Sequence, residues 1–568
     1  LSFLENSQLF RIDDTIEMVE GLRGGPNPVV SNGQPGLTTN FRLKRGGEST
    51  EASAKYTISD YGLNRIDVVA SGALDDDLYY MVGGYIKSSE GIRDAGFNSE
   101  QGNQFTVNIT KVFEKGELNL YTRQTDDRGT WYLPTPLNVE GIDANYTQIG
   151  PLNRQGTITY GPNDTTESFD FGEGRGWDGH VSGGSIKLDL GNDWQLVDRF
   201  NLTKGEANTF GLVPNGSATT IANVADNGES ATGAVTGTVY DGDTPIQQIG
   251  RWVVLKDIEA FTNDLAVSKS WEDFDTSFGI YSASTKANDW WSIGNTAYHV
   301  LQPGGELLDG IECNTDAQGC DWNYDISSVG DASTFALYAT GTWYATTDLS
   351  IDLGLRRENH EVSYSVDEDL DGEITKALEY DESKTSWTVG ANYALNDTSG
   401  VFVRMNRGYK MPYFDDFRDN WGAYTGGNDL IKEVTQGELG YKFMNDSIQF
   451  FATAFANEVK GDTFVRRPGA PAEILTNEAY GLELDGRYSH DSGFSLSVNA
   501  TIQETEITAS ANNEGNESQR QPGWQVRVTP SYGFDIGDMY ATVYGTLSAV
   551  DDRFGNNENT VVLEGYEK

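Results

Sequence analysis

The sequence predicts an all-β protein, a large antiparallel transmembrane β-barrel, and three observations predict it. Runs of roughly ten or more residues alternate apolar and polar side chains along most of the chain, the period of a strand with one apolar face. The connections between runs are alternately short turns and long polar loops, as in outer-membrane barrels. The composition joins only 37% hydrophobic residues to 65 Gly, 28 Tyr, 25 Phe and 12 Trp in 568 residues. That is too polar for a bundle of membrane helices, and no run approaches the ~20 apolar residues a spanning helix needs. It is too aromatic for disorder.

Taken in chain order, the first ~45 residues stand apart, mixing RIDDTIEMVEGLRGG with a Pro/Asn/Gly-rich turn and FRLKRGG. Alternation then begins and recurs at Phe105/Val107/Ile109, Ile186/Leu188/Leu190, Phe335/Leu337, Ile351/Leu353/Leu355 and Met539/Ala541/Val543. In FSLSVNATIQ, Phe494, Leu496, Val498, Ala500 and Ile502 share one face, while Ser495, Ser497, Asn499, Thr501 and Gln503 share the other. A soluble sandwich alternates too, but its strands average ~5–6 residues, whereas a tilted membrane strand needs ~10 or more. Short turns are expected at 75–77, 114–116, 191–193, 346–348, 396–400, 490–493 and 535–538. Long loops are expected at 126–180, 204–256, 288–333, 366–384, 411–432 and 506–522. The runs from residue 50 onward make nineteen strands, with a twentieth beginning near Gly565. Plugged transporter barrels have about 22 strands, so the count, with a chain that opens on Leu1 without a signal peptide, reads as a fragment cut at both ends, lacking the start of the plug and the last barrel strands.

The net charge is −46, from 86 acidic and 40 basic residues. Without a Lys/Arg cluster this surface excludes nucleic acid as a partner. The two cysteines, Cys313 and Cys320, lie seven apart in a polar loop and are expected to form a local disulfide. His180, His299, His360 and His490 match no zinc spacing, and GRGWDG (174–179) fits GxGxxG without a βαβ context. No GxSxG elbow occurs, so the expectation is no catalytic residue, no metal, no cofactor and no enzyme activity. Asp367, Asp369, Asp371 and Gly372 reproduce the first half of an EF-hand loop, but Leu378 stands where the closing carboxylate belongs. An acidic hairpin tip is the expected reading, with adventitious calcium the alternative.

Residues 16–26, IEMVEGLRGGP, resemble the closing plug motif of TonB-dependent outer-membrane receptors, an IE-x-(I/V)E-x-LRGP pattern, with Gly25 inserted. GLRRE (354–358), MNRGYKMPYFDDF (405–417), NEAYGLELDGRY (477–488) and VDDRFGNNENT (550–560) resemble barrel segments of that family, in the family's order. The resemblance implies a C-terminal part of a plug at 1–47 and a barrel at 48–568. It implies active uptake of a scarce small molecule, most often a ferric siderophore, driven by the inner-membrane TonB complex through a segment N-terminal to the plug. The expected setting is the bacterial outer membrane, with lipid and lipopolysaccharide around a monomeric barrel. Oligosaccharide uptake by the same mechanism is one rival; a passive porin-like channel and a secreted β-rich binding protein are others.

Alternation points Ile351, Leu353 and Leu355 at lipid and therefore Arg356 and Glu358 into the lumen, since a charge facing lipid at mid-depth costs ~2–4 kcal/mol. With Glu20 and Arg23 they are candidates for a plug–barrel latch, which the resemblance also implies. Trp290, Trp291, Trp322, Tyr324, Trp421 and Tyr424 fall in or beside long loops, with Arg466 and Arg467 in FVRRPG, and are the candidate ligand contacts.

Overall fold

The computed structural model describes residues 9–23, 27–30, 37–136, 139–225, 229–309, 311, 323–464 and 473–568. Alternating side chains force each run to present two unlike faces, and a sheet that curls shut sends one of them inward. From Glu51–Ile58 onward the strands do this in a single antiparallel barrel. Each strand pairs with its neighbours in sequence, as in Leu349–Glu368 between Tyr324–Tyr344 and Ile374–Asn396. The barrel contains twenty-two strand segments among the described residues. Thr219–Thr220 merely prolongs one edge of Pro245–Ser270, and Leu547–Val550 continues Met539–Tyr544, both pairing with Trp524–Ile536. These merge into nineteen full strands, and Tyr566–Glu567 starts a twentieth beside Leu547–Val550.

Polarity is inverted relative to a soluble core. Phe335, Leu337, Val403, Met405 and Leu439 are exposed on the outer face, where lipid covers them, while Thr334, Ser386, Thr388 and Asn406 are buried inside. All seven expected short turns join strands at one end of the barrel, for instance Asp75 to Leu78 and Asn396 to Ser399. Two more, at 271–273 and 445–447, join the same end.

At the other end the loops are shorter than expected because the strands continue past the membrane. Pro245–Ser270 and Phe274–Val300 have 26 and 27 residues, or roughly 85–90 Å at ~3.3 Å per residue, against the ~9–11 residues a bilayer requires. The 366–384 segment, expected as a loop, is mostly paired strand, with only 369–373 as the hairpin tip. With neither face against lipid and protein packed on both, such extensions lose the simple apolar alternation that marks a membrane strand. A hairpin of Gln155–Tyr160 and Thr165–Asp170 straps the outside of this extension. Its Ile158 packs with Phe171, Phe210, Leu212, Ile249 and Val253. Asn295 fixes it by accepting from the Thr159 amide at 2.7 Å and donating to the Thr159 carbonyl at 3.0 Å. A small sheet of Ser230–Gly233, Val239–Asp241 and Leu308–Asp309 stands beyond.

Before the barrel, Ile16–Arg23 and Leu37–Leu43 form a separate two-stranded sheet. Helix α1 (Asn27–Val30) lies between them in sequence.

Candidate functional site: the lumen and its mouth

The segment that precedes the barrel is clamped to the wall by residues 11–15. Asp13, fully buried, accepts from Gln104 Nε2 at 2.6 Å and lies 3.4 Å from Arg123, which also donates to Thr15 Oγ1 at 2.8 Å. Arg11 reaches the opposite way: its Nε donates to Asp127 at 2.7 Å, and Asp127 also takes Tyr85 OH at 2.6 Å and Lys87 at 3.0 Å. Arg65 donates to the Ile12 carbonyl at 2.9 Å. Arg123, Thr125 and Asp127 alternate along Gly116–Gly129 and are buried in the lumen, so strand period supplies one half of the clamp. Asp13, Arg123 and Asp127 are nearly water-free, so each depends on its partners.

Elsewhere on the wall, α1 inserts Val29, wholly buried, against Gly354 of the GLRRE strand. A Cβ at Gly354 would sit 3.3 Å from the Val29 methyls and 2.8 Å from the Thr388 methyl. The wall lacks a side chain where α1 touches it.

Of the expected latch residues whose side chains are described, Glu20 does not join Arg356 and Glu358. Leu353 and Leu355 are 53% and 54% exposed on the lipid face, while Arg356 and Glu358 are 3% and 9% exposed in the lumen. There Arg356 bonds Glu358 through Nε at 2.8 Å and Nη2 at 2.5 Å, and lies over the Tyr281 ring. Glu20 accepts from Asn40 at 2.8 Å and faces Arg42 at 3.6 Å, both on the adjacent strand of its own sheet. Arg23 ends that sheet's first strand, and its side chain lies outside the described residues.

The upper lumen is filled by the loop at 411–431, which turns inward as α2 (Phe414–Asp419) and α3 (Trp421–Thr425). Phe414 occupies the space above Gly330, stacked on Tyr364, and Phe417 packs in the same apolar cluster with Trp291 and Val362. The cluster encloses four charges. Lys256 lies 3.1 Å from Asp289 and 3.2 Å from Asp415, and Asp415 also pairs with Arg418. Arg418 stacks 3.9 Å over the Trp291 ring and bonds Asp419 at 2.8 Å. Burial opposes the Arg418 charge, but Asp415 and Asp419 hold it well above its ordinary value. Lys256 and Asp289 belong to the wall, Asp415 and Arg418 to the loop, so the quartet staples one to the other. His360 adds a second tie: Nε2 faces the Pro412 carbonyl at 3.2 Å, so it carries the proton, and Nδ1 accepts from Thr334 Oγ1 at 2.9 Å.

Above this loop a cavity of about 1210 Å³ opens at the mouth, between the tops of the Tyr324, Leu349 and Ile374 strands, α2–α3, and residues 473–474 and 511–513 of the facing wall. Tyr324 and Trp421 line it. Trp291 lies in the buried cluster beneath, with Tyr424 packed against that cluster. Trp290 points to the other side of the wall, edge-on to Tyr160 of the strap hairpin. Trp322, Arg466, Arg467, Cys313 and Cys320 lie outside the described residues. In the acidic tip, Asp367 accepts from the Asp371 and Gly372 amides, and Lys376 pairs with Glu368 at 2.6 Å. No group of three or more potential metal ligands occurs among the described residues.

Sequence reasoning missed Arg11, Asp13, Arg123, Asp127, Lys256, Asp289 and Asp415. Arg123, Asp127, Lys256 and Asp289 carried a signal as charges at inward positions of strands, whereas Arg11, Asp13 and Asp415 lie off the strands, and nothing local says which of them meet across the lumen.

Residues 49–567 match the family model described as TonB dependent receptor-like, beta-barrel. Among solved structures, the ferric yersiniabactin uptake receptor FyuA of Yersinia pestis superposes with a TM-score of 0.70 at 15% identity, covering 97% of this chain and 76% of that one. The ferric citrate transporter FecA gives 0.67 at 12%, covering 97% and 74%. The copper transporter OprC gives 0.65 at 13%, covering 98% and 76%. A search of curated protein sequences gives no significant match. With almost its whole barrel matched by the family model, the chain belongs to the TonB-dependent receptors, transporters of the bacterial outer membrane.

Proposed function

We propose that this receptor takes up a ferric siderophore, which binds at the mouth cavity and passes inward when the plug yields. The observation that carries the reading is a ligand-sized cavity of about 1210 Å³ directly above a loop and a plug segment that are both tied to the wall through buried charges. Several solved relatives in structure are named for ferric chelates, although OprC is named for copper. Energy would come from the inner-membrane TonB complex pulling on a segment before the plug. Opening would require release of the Arg11–Asp127 and Asp13–Arg123 contacts, with Glu20, Arg23, Arg356 and Glu358 as further charges whose pairing changes on the way. The barrel would act as a monomer surrounded by lipid and lipopolysaccharide. No covalent chemistry is involved.

Oligosaccharide uptake is the second reading, and the aromatic rings at an acidic mouth favour it. Transcript levels separate the two. Induction by iron starvation, with TonB-dependent uptake of a radioactive ferric chelate, is the expected result. Induction by a glycan with no response to iron would remove the siderophore and leave the transporter.

A further inference from the structure

Asn420 joins α2 to α3, where an asparagine ordinarily accepts from the amides of the following helix. Here it does not. Its Nδ2 donates backward to the Asp416 carbonyl at 2.8 Å, which fixes the orientation of the amide. Its Oδ1 is left buried without a partner, although the residue is only 3% exposed and lines the mouth cavity. A buried acceptor of this kind lacks a donor that a ligand can bring.

The rest of the lining repeats the same demand. Asp325, Glu368, Asp369, Asp419 and Glu473 contribute five carboxylates. The two cations that line the cavity among the described residues are both engaged, Lys376 by Glu368 at 2.6 Å and Arg418 by Asp415 and Asp419. Lys376 also lies 5.8 Å from the ring of Trp421, whose indole borders the cavity. Among the described residues the mouth therefore offers acceptors, negative charge and an aromatic face, and no unpaired cation to an anion.

From this we infer that the mouth selects a cationic, donor-bearing ferric chelate and discriminates against anionic ones. The inference rests on the siderophore reading and sharpens it. A positive pendant group would be drawn to the acidic rim, and its N–H groups would satisfy Asn420 Oδ1.

The test is calorimetric binding to the full-length receptor in detergent, using three ferric trihydroxamates that differ only at one terminus. Ferrioxamine B carries a free ammonium, its N-acetyl derivative is neutral there, and its N-succinyl derivative is anionic. Affinity should fall in that order, by about tenfold or more from first to last at low salt, and the spread should shrink as salt is raised. Asn420→Ala should weaken the ammonium form most. Glu473→Gln, on the facing wall, should narrow the spread even if the first variant fails to fold. Equal or reversed affinities overturn the inference while leaving siderophore uptake intact. Absence of binding by all three overturns it as well, and the transcript measurement then shows whether the siderophore reading falls with it.

Discussion

Replacing Lys256 with Met tests whether the inward loop is held by its buried charges. Lys256 is 1% exposed and is the cation that faces both Asp289, at 3.1 Å, and Asp415, at 3.2 Å. Met keeps the length of the stem and its packing, so the change removes charge with little loss of volume. Asp415 retains Arg418, but Asp289 is 3% exposed and one of its oxygens is already without a hydrogen-bond partner. Stranding such a carboxylate costs about 3–5 kcal/mol when one member of a buried pair is removed. The lower bound corresponds to a change of roughly 10²-fold in the docking equilibrium of the loop, at about 1.4 kcal/mol per decade. Hydrogen exchange on the folded barrel reads this directly. The amides of Phe414–Thr425 should lose about two orders of magnitude of protection, while strands near the short-turn end keep theirs. Adding Asp289→Asn should restore much of the protection, because the stranded charge is then gone and the two changes are coupled. Unchanged protection in the single variant, or equal loss in the double, would refute the idea that charge rather than the Phe414/Phe417 packing fastens the loop.

Asp127→Asn should remove the carboxylate that Arg11 and Lys87 share, making residues 9–23 more protease-sensitive and raising permeability to large antibiotics; wild-type values for both would place the clamp elsewhere. Gly354→Ala puts a methyl 3.3 Å from Val29 and 2.8 Å from Thr388, so about 1–3 kcal/mol of overpacking should appear as faster exchange at α1 with an intact barrel. Glu306 is fully buried and accepts from the Val235 and Thr236 amides, each at 2.9 Å, and from Tyr240 OH at 3.0 Å. Glu306→Ala should therefore expose the 230–241 hairpin to protease, since each stranded donor costs about 1–3 kcal/mol; resistance equal to wild type would contradict this. Cys313 and Cys320 should be bonded, giving a non-reduced peptide lighter by two hydrogens in mass spectrometry, and alkylation of both thiols in native protein would rule that out.

Alternation along the chain determined where the strands cross the membrane, which face meets lipid and where the tight turns fall, because successive Cβ atoms point to opposite sides of a strand whatever surrounds it. Leu355 outward and Arg356 inward follow from that geometry alone, as do the turns at 75–77 and 396–400. The tertiary structure decided everything that depends on which elements face each other. Trp290 and Trp291 are adjacent in sequence yet serve an outer strap and an inner staple, because the long strand beyond the membrane has protein on both faces. Loop 411–431 carries no period that distinguishes a solvated loop from one folded into the lumen; only the space above Gly330 and the paired charges Lys256 and Asp289 draw it in. Arg356 and Glu358 were placed on the correct face by period, but their bond is to each other, while Asp13 and Arg11 found Arg123 and Asp127 across the barrel. Such pairings are set by the curvature of the closed wall and by loop paths, long-range quantities that the local spacing of residues does not encode.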